Sequence, residues 1–444
     1  MKKLFLLISW ILFAYFLSVL PLEIIFYVIF LILSSSVFYL YIYSKKNIIF
    51  DYKLFVYLSV SYSAALVGSY CLLYYSSVNN RLSSIILIFF LLPTIALLGY
   101  RFILSLHCFV DCYLNKNTVN NTVQTNSTEG CSIVISTRNE PFSVCKMTFD
   151  SVLNLDYRAE LIEIIVVDNS DLEYKDYTEW KKYVESHKDK YGSRCKFIHR
   201  DGVKGFKPRN LDIASKHVSF KYVMFLDADS TVPKDAINVA IPEFNKNERL
   251  GFVTFLIESS NYNFNFATKV MSIFQNSIRY FNEFVGKYGY CNFQGHNAIW
   301  RKKALDKIGS WEEYHRDEVM ITEDIAAGFR CYQAGYTSKP IFLKTWEWVP
   351  SSLKEFDKMW LRWSFGGMQV MHKHLGSILS SRDITLRVKL DMLYLLFKVA
   401  VSGFPLFAMF LVIFPKDNIP LVLLINSTLI PLLVLSIWYY FYGY

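Results

Sequence analysis

The sequence contains no C-x-x-C pair. Its eight cysteines, Cys71, Cys108, Cys112, Cys131, Cys145, Cys195, Cys291 and Cys331, are scattered, which argues against a zinc ribbon or a disulfide framework and for reduced thiols. Cys108 and Cys112 stand four apart on an expected helix, but no histidine lies at ligand spacing to complete a metal site. A basic run interleaved with aromatics is also missing, so nucleic acid is excluded as a partner. Charge itself is scarce, at 19% of 444 residues, against 53% hydrophobic and 17% aromatic residues. That balance is too apolar for one ordinary soluble protein.

The apolar residues are concentrated before about residue 112 and after about residue 390. Leu4–Leu20, Leu22–Tyr43, Leu54–Tyr75 and Ser83–Val110 each come close to the roughly 20 apolar residues that a bilayer requires. Leu390–Phe414 and Ile419–Tyr442 supply two further spans. No small-residue cleavage site follows the first apolar stretch, so it reads as a retained anchor and not as a signal peptide. Lys2, Lys3, Lys45 and Lys46 mark one side of the membrane under the positive-inside rule, and the net charge of +9 fits contact with anionic lipid. An even number of N-terminal spans returns the chain to the cytosol. The expected organisation is four transmembrane helices over residues 1–114, a polar linker over 115–130, a cytosolic domain over 131–350, an interfacial helix over 351–380 and two transmembrane helices over 381–444. Lys398 falls inside the fifth span, where a polar path would explain it.

The middle of the chain alternates strands with helices. Cys131–Thr137, Leu161–Val167, Lys196–His199 and Tyr222–Leu226 read as strands, with helices over Val144–Leu153, Tyr177–His187 and Asn210–His217. This order implies an α/β domain with a mostly parallel sheet, whose ligands gather at the carboxyl ends of the strands. Those ends are polar: Ser136-Thr137-Arg138-Asn139-Glu140-Pro141, Asp168-Asn169-Ser170, and Asp227-Ala228-Asp229-Ser230. Asp227 and Asp229, one residue apart after a buried strand, project to the same side and suit a hard divalent ion, Mg²⁺ or Mn²⁺, bridging to phosphate. A plain polar turn is the alternative. Lys204-Gly205-Phe206-Lys207-Pro208-Arg209-Asn210 reads as a loop whose cations suit phosphate, or as a solvated basic turn.

The succession STRNEP, VVDNS, KPRN, FLDADS, GHNAIWRKKAL, ITED and WLRW resembles the membrane-embedded family 2 glycosyltransferases, the group of the cellulose, chitin and hyaluronan synthases. The resemblance runs from about Cys131 to Gly376. It implies a GT-A nucleotide-sugar transferase domain between N- and C-terminal transmembrane helices, a UDP-sugar donor, a divalent cation and a location in the plasma membrane. It further implies that Glu140, Asp168, Lys207 and Asp227 contact the donor and that Asp227 and Asp229 hold the metal. Asp324, in Thr322-Glu323-Asp324, matches the catalytic base, with Glu323 beside the acceptor. His296 and Asn297 match a loop bordering the sugars. Thr322 also stands where a residue could cap the following helix, which is expected to run to Ala334. Trp311, Trp346 and Trp348 read as core or interface residues.

Arg362 and Trp363 match the end of the family's Q-x-x-R-W, where arginine approaches the donor diphosphate and tryptophan forms a floor for the acceptor. The glutamine position is Met359, which cannot supply amide hydrogen bonds. Leu353–Leu375 mixes apolar, aromatic and basic residues as an interfacial helix does. The resemblance therefore implies an inverting β-glycosyltransferase that elongates and exports a polysaccharide, with a glycan acceptor and membrane lipid as partners. The Met359 departure favours a single transfer to a lipid-linked or membrane acceptor, and a catalytically silent membrane partner that only binds glycan or nucleotide is the alternative from another class. No motif specifies an accessory subunit.

Overall fold

Ile133, Val134 and Ile135 are all buried, yet the first and third belong to one hydrophobic cluster and the second to another. Successive side chains of a strand point to opposite faces, so a continuous apolar run marks a sheet covered on both sides. The computed structural model of the chain describes residues 128–202, 204–286, 290–393 and 395. The expected N-terminal spans, most of the linker, the C-terminal spans beyond Leu395, and Lys398 lie outside the described residues. Among the described residues, no helix is long and apolar enough to cross a membrane.

In chain order the strands are β1 Cys131–Thr137, β2 Ile162–Asp168, β3 Cys195–His199, β4 Tyr222–Asp227, β5 Leu250–Ser259, β6 Ala298–Arg301, β7 Tyr314–His315, β8 Glu318–Val319 and β9 Thr337–Glu347. The helices of four or more residues are α1 Phe142–Leu153, α2 Tyr177–Glu185, α3 Lys188–Tyr191, α4 Phe206–Ser215, α5 Ala236–Lys246, α6 Phe266–Gly286, α7 Lys302–Ile308, α8 Glu323–Gln333 and α9 Leu353–Ser380. Seven strands form one mixed sheet in the order β3-β2-β1-β4-β6-β5-β9, and β7 with β8 forms a separate hairpin. β3, β2, β1 and β4 are parallel, whereas β6 runs antiparallel to both β4 and β5.

Register places the polar strand ends together. Thr137 stands opposite Asp168, and Ser136 opposite Asp227. Because β6 runs against β4, with Ala298 opposite Phe225, the residues before it, Gly295-His296-Asn297, arrive at the same edge as Asp227. β9 pairs with β5 so that Glu347 stands opposite Ser259, and Thr231 bridges Trp346. The D-x-D turn is thus tied to the far half of the sheet.

One face of the sheet is covered by a cluster including Ile133, Phe149, Val166, Trp180, Ile237 and Phe244. The other carries Val134, Leu211, Phe225, Phe252, Phe293, Trp300 and Trp311. Phe252 and Trp300 stack with centroids 4.4 Å apart, and Trp311 is 2% exposed, a core residue. A third cluster joins Met320, Ala326, Phe329, Val370, Ile378 and Met392, packing α8 against the second half of α9. The five described cysteines are all buried and free.

The expected loop from Lys204 to Asn210 is instead mostly helical, since α4 begins at Phe206. Pro208 does not prevent this, because the first-turn N–H groups of a helix have no intrahelical partner. The expected helix over Tyr177–His187 ends at Glu185. Thr322 occupies the N-cap position of α8 but makes no cap hydrogen bond with its side chain, so the expected cap is absent. Ser352 does cap α9, accepting the N–H of Glu355 at 3.3 Å.

Glu313 ties the hairpin to both helices. Its carboxylate meets Arg330 of α8 at 3.0 Å, and Lys373 and His374 of α9 at 3.3 and 2.9 Å. Burial alone would raise its pKa. The His374 hydrogen bond and the charges of Arg330, His374 and Lys373 outweigh burial and bring it down to about 2. A carboxyl with a depressed folded pKa contributes stability above its unfolded pKa and loses it as pH falls through the folded one. The Glu313 contribution, on the order of 3 kcal/mol by linkage, is therefore expected in full above about pH 5 and lost towards pH 2. Thermal unfolding of Glu313→Gln and the unmodified protein between pH 4 and 7 is expected to show their difference narrowing as pH falls.

Candidate active site

The strand ends supply the first part of the site. Asp227 closes β4, and its Oδ1 pairs with the ammonium of Lys207 on α4. Lys207 Nζ also lies 3.9 Å from Glu323 Oε1 and donates to the Gly295 carbonyl at 3.3 Å. Gly295 has φ +87°, and a Cβ built on it would stand 3.4 Å from both Lys207 Nζ and Asp324 Oδ2. A side chain there would be strained and would intrude between these two groups. Four separate elements, β4, α4, the turn before β6 and the first turn of α8, thus converge on one ammonium.

The electrostatics follow from this crowding. Burial opposes ionisation of Asp227, but the Lys207 charge and hydrogen bond, with the Arg362 charge, hold its pKa below the ordinary carboxylate value. Lys207 is correspondingly raised: burial lowers it, and the charges of Asp227, Glu323 and Asp324 overcome that. Burial followed by the Asp227 charge pushes Asp229 up to about 6. Glu140, which solvent reaches, is raised to about 7 by desolvation and then by Asp229 and Asp227. Glu323 and Asp324 are both raised, mainly by burial. Asp324 Oδ1 accepts the N–H of Ile325 at 2.8 Å.

Excess negative charge of this kind is what a hard divalent cation relieves. Among the described residues, no group of three or more histidine, cysteine or acidic side chains is arranged to hold a metal. Asp227 and Asp229 supply two carboxylates, so substrate phosphate and water would complete the shell of an ion there.

Asp168 is fully buried. Its carboxylate accepts from Thr137 Oγ1 at 2.6 Å and from the Ser170 N–H and Oγ at 3.0 and 2.8 Å, with His199 Nδ1 at 3.3 Å. Beside it, buried Asn210 bridges Ser136 and Asn169. His296 is 7% exposed, and both its ring nitrogens are engaged: Nδ1 with Ser230 Oγ at 3.1 Å and Nε2 with Glu347 Oε2 at 2.7 Å. Burial depresses its pKa to about 4, so the ring is neutral at pH 7. Ser230 Oγ in turn accepts the Asp227 N–H at 3.2 Å, and Glu347 also pairs with Arg279 of α6. His296 therefore supports the D-x-D turn from behind. Asn297 is fully buried with φ +48°. Arg362 and Trp363 are exposed on α9, and the Arg362 charge acts on both Asp227 and Asp324. Gln275 of α6 donates to Met359 Sδ at 3.3 Å.

Sequence reasoning missed Glu347, Arg279 and Gln275. No strand was expected where β9 lies, and α6 carries its polar residues as an inward stripe that no short motif marks. Ser230 was visible in the D-x-D turn, but its link to His296 depends on the antiparallel pairing of β6.

Residues 132–309 match the profile of glycosyl transferase family 2, and residues 222–442 that of glycosyl transferase family group 2. The chain carries a family 2 glycosyltransferase domain. Over 264 residues the chain is 30% identical to the poly-β-1,6-N-acetyl-D-glucosamine synthase of Staphylococcus epidermidis, covering 59% of this chain and 60% of that one. It is 27% identical over 302 residues to "Probable glucomannan 4-beta-mannosyltransferase 6" of Oryza sativa subsp. japonica, covering 63% of this chain and 50% of that one. The match thus spans about half to three-fifths of these relatives' length. A mannosyltransferase of Pyrobaculum calidifontis, solved with GDP-Man and Mn²⁺, superposes with a TM-score of 0.52 at 15% identity, covering 76% of this chain and 90% of that one. The domain accordingly has a GT-A-like α/β fold with a mixed sheet.

Lys207→Met is expected to leave Asp227, Glu323 and Asp324 without their shared cation. Release of nucleoside diphosphate should fall by roughly 10²-fold or more, the scale of losing one preorganised charge partner. The melting temperature should fall as well, because the carboxylates around Lys207 lose the charge that offsets their desolvation and mutual repulsion.

Proposed function

We propose that the protein is an inverting β-glycosyltransferase that takes a nucleotide-sugar, a UDP-sugar in the first instance, and elongates a polysaccharide. The observation that carries this reading is the convergence of Asp227, Lys207, Glu323 and Asp324 around Gly295. It sets a metal-and-phosphate side next to a second carboxylate pair. Asp324 takes the proton of the acceptor hydroxyl as its oxygen attacks the anomeric carbon and the nucleoside diphosphate departs from the opposite face. A base with a pKa raised by burial is closer to the working pH than a free aspartate. Mg²⁺ or Mn²⁺, held by Asp227 and Asp229, supplies charge stabilisation to the leaving diphosphate when bound. Lys207 and Arg362 add fixed positive charge on the same side. Glu140 and the Asp168 turn stand at the strand ends where the nucleoside would lie. Trp363 offers the acceptor an exposed ring face.

The two relatives named for polysaccharide chemistry, and the mannosyltransferase solved with GDP-Man and Mn²⁺, support polymer synthesis and divalent metal as the starting expectation. The apolar terminal segments support a multi-pass protein of the plasma membrane with its catalytic domain in the cytosol. Phe264, Phe266, Leu353 and Leu361, each more than two-thirds exposed, support contact of α6 and α9 with lipid. A second reading, one sugar transferred to a lipid-linked acceptor, is favoured by Met359, whose neighbour Gln275 gives it only a weak amide-to-sulfur contact.

The test is turnover of a panel of nucleotide-sugars by the full chain in lipid, with and without Mg²⁺ or Mn²⁺, followed by sizing of the product. Metal-dependent turnover that Asp324→Asn reduces at least about 10³-fold is expected, with long product for the synthase and a one-sugar product for the second reading. Turnover unaffected by Asp324→Asn would contradict both.

A further inference from the structure

The first turn of α8 carries Asp324, yet its own cap is missing: the Thr322 hydroxyl is buried and has no hydrogen-bond partner. The chain leading into that turn is held instead by α9. Gln369, 6% exposed, accepts the Ile321 N–H through Oε1 at 3.2 Å and donates through Nε2 to the Val319 carbonyl at 3.2 Å. A primary amide that accepts from one peptide and donates to another two residues away does what a paired strand would do. Just before it on α9, Gly366 faces Thr322 so closely that a Cβ would stand 2.4 Å from Thr322 Cγ2. One turn beyond Gln369, Lys373 donates to the Tyr314 carbonyl at 2.9 Å and His374 meets Glu313. Between these polar contacts Met320 is fully buried in the cluster that contains Val370.

We propose that Gln369 is a positioning residue for Asp324, acting through the backbone of Val319 to Ile321. The proposal rests on the reading of Asp324 as the base. α9 grips the approach to α8 at successive turns, and Gln369 is the side chain whose hydrogen bonds lie nearest the catalytic turn. A misplacement of about 1 Å at a reacting group costs on the order of 10²-fold in rate. Gln369 makes no hydrogen bond to the D-x-D turn or to α4, so donor binding is independent of it.

Gln369→Leu removes both bonds and leaves the part-buried Ile321 N–H and Val319 carbonyl without this partner. It is expected to lower kcat about 10- to 100-fold with the donor KM within about twofold. Gln369→Glu separates positioning from general damage. A protonated carboxyl can donate to Val319 and accept from Ile321 as the amide does, whereas a carboxylate cannot donate. The ratio of Gln369→Glu activity to that of the unmodified enzyme is therefore expected to rise as pH is lowered, while the Gln369→Leu ratio stays flat. Unchanged kcat in Gln369→Leu, or a flat ratio in Gln369→Glu, would overturn the proposal. If Gln369→Leu does not fold, the pH dependence of Gln369→Glu decides. Asp324→Asn, assayed alongside, keeps the two readings apart: activity retained there overturns the base assignment itself, whereas activity lost there with unchanged Gln369 variants overturns only the positioning role.

Discussion

One ammonium group organises the catalytic end of this domain. Lys207, on α4, stands among Asp227 of β4 and the adjacent Glu323 and Asp324 of α8, elements that lie far apart in sequence. Without that cation, buried Glu323 and the partly exposed Asp227 and Asp324 would repel one another at the carboxyl edge of the sheet, which favours protonation of one of them. With it, Asp227 stays ionised while Glu323 and Asp324 are shifted upward. Under the proposed function, that difference would separate a charged donor side from a more basic acceptor side.

The fold makes this convergence possible through a single reversal. Parallel strands bring the ends of β1, β2 and β4 to one edge. The antiparallel β6 then begins where β4 ends, delivering Gly295 and His296 beside Asp227. Behind the D-x-D turn, Ser230, His296, Glu347 and Arg279 form a buried chain of contacts reaching α6. The D-x-D turn is therefore braced from behind by a neutral histidine and a paired carboxylate.

Much of this was legible in the residues. Apolar runs ending at Asp168 and Asp227 identified two parallel strands and their polar carboxyl ends, because continuous burial and terminal carboxylates are local signals. The first turn of α4 reads as a loop because glycine and proline are ordinary turn residues, whereas its continuation from Asn210 reads as helix, and only the structure shows Pro208 within a first turn that tolerates it. Thr322 sits at the position of a cap but does not cap, because Gly366 of α9 packs directly against its side chain. That contact joins residues 44 apart in sequence, and nothing local announces it. His296 read as a sugar contact from its motif, whereas its two ring nitrogens are occupied by Ser230 and Glu347, the second contributed by a strand the sequence did not reveal.

The most direct measurement of the account is the configuration of the bond the enzyme makes. Product from an α-linked nucleotide-sugar would be examined by the one-bond carbon–proton coupling at the newly joined anomeric carbon. Asp324 acting opposite the departing diphosphate predicts a β linkage. An α linkage would contradict the assignment of Asp324 as the base of a single inverting displacement.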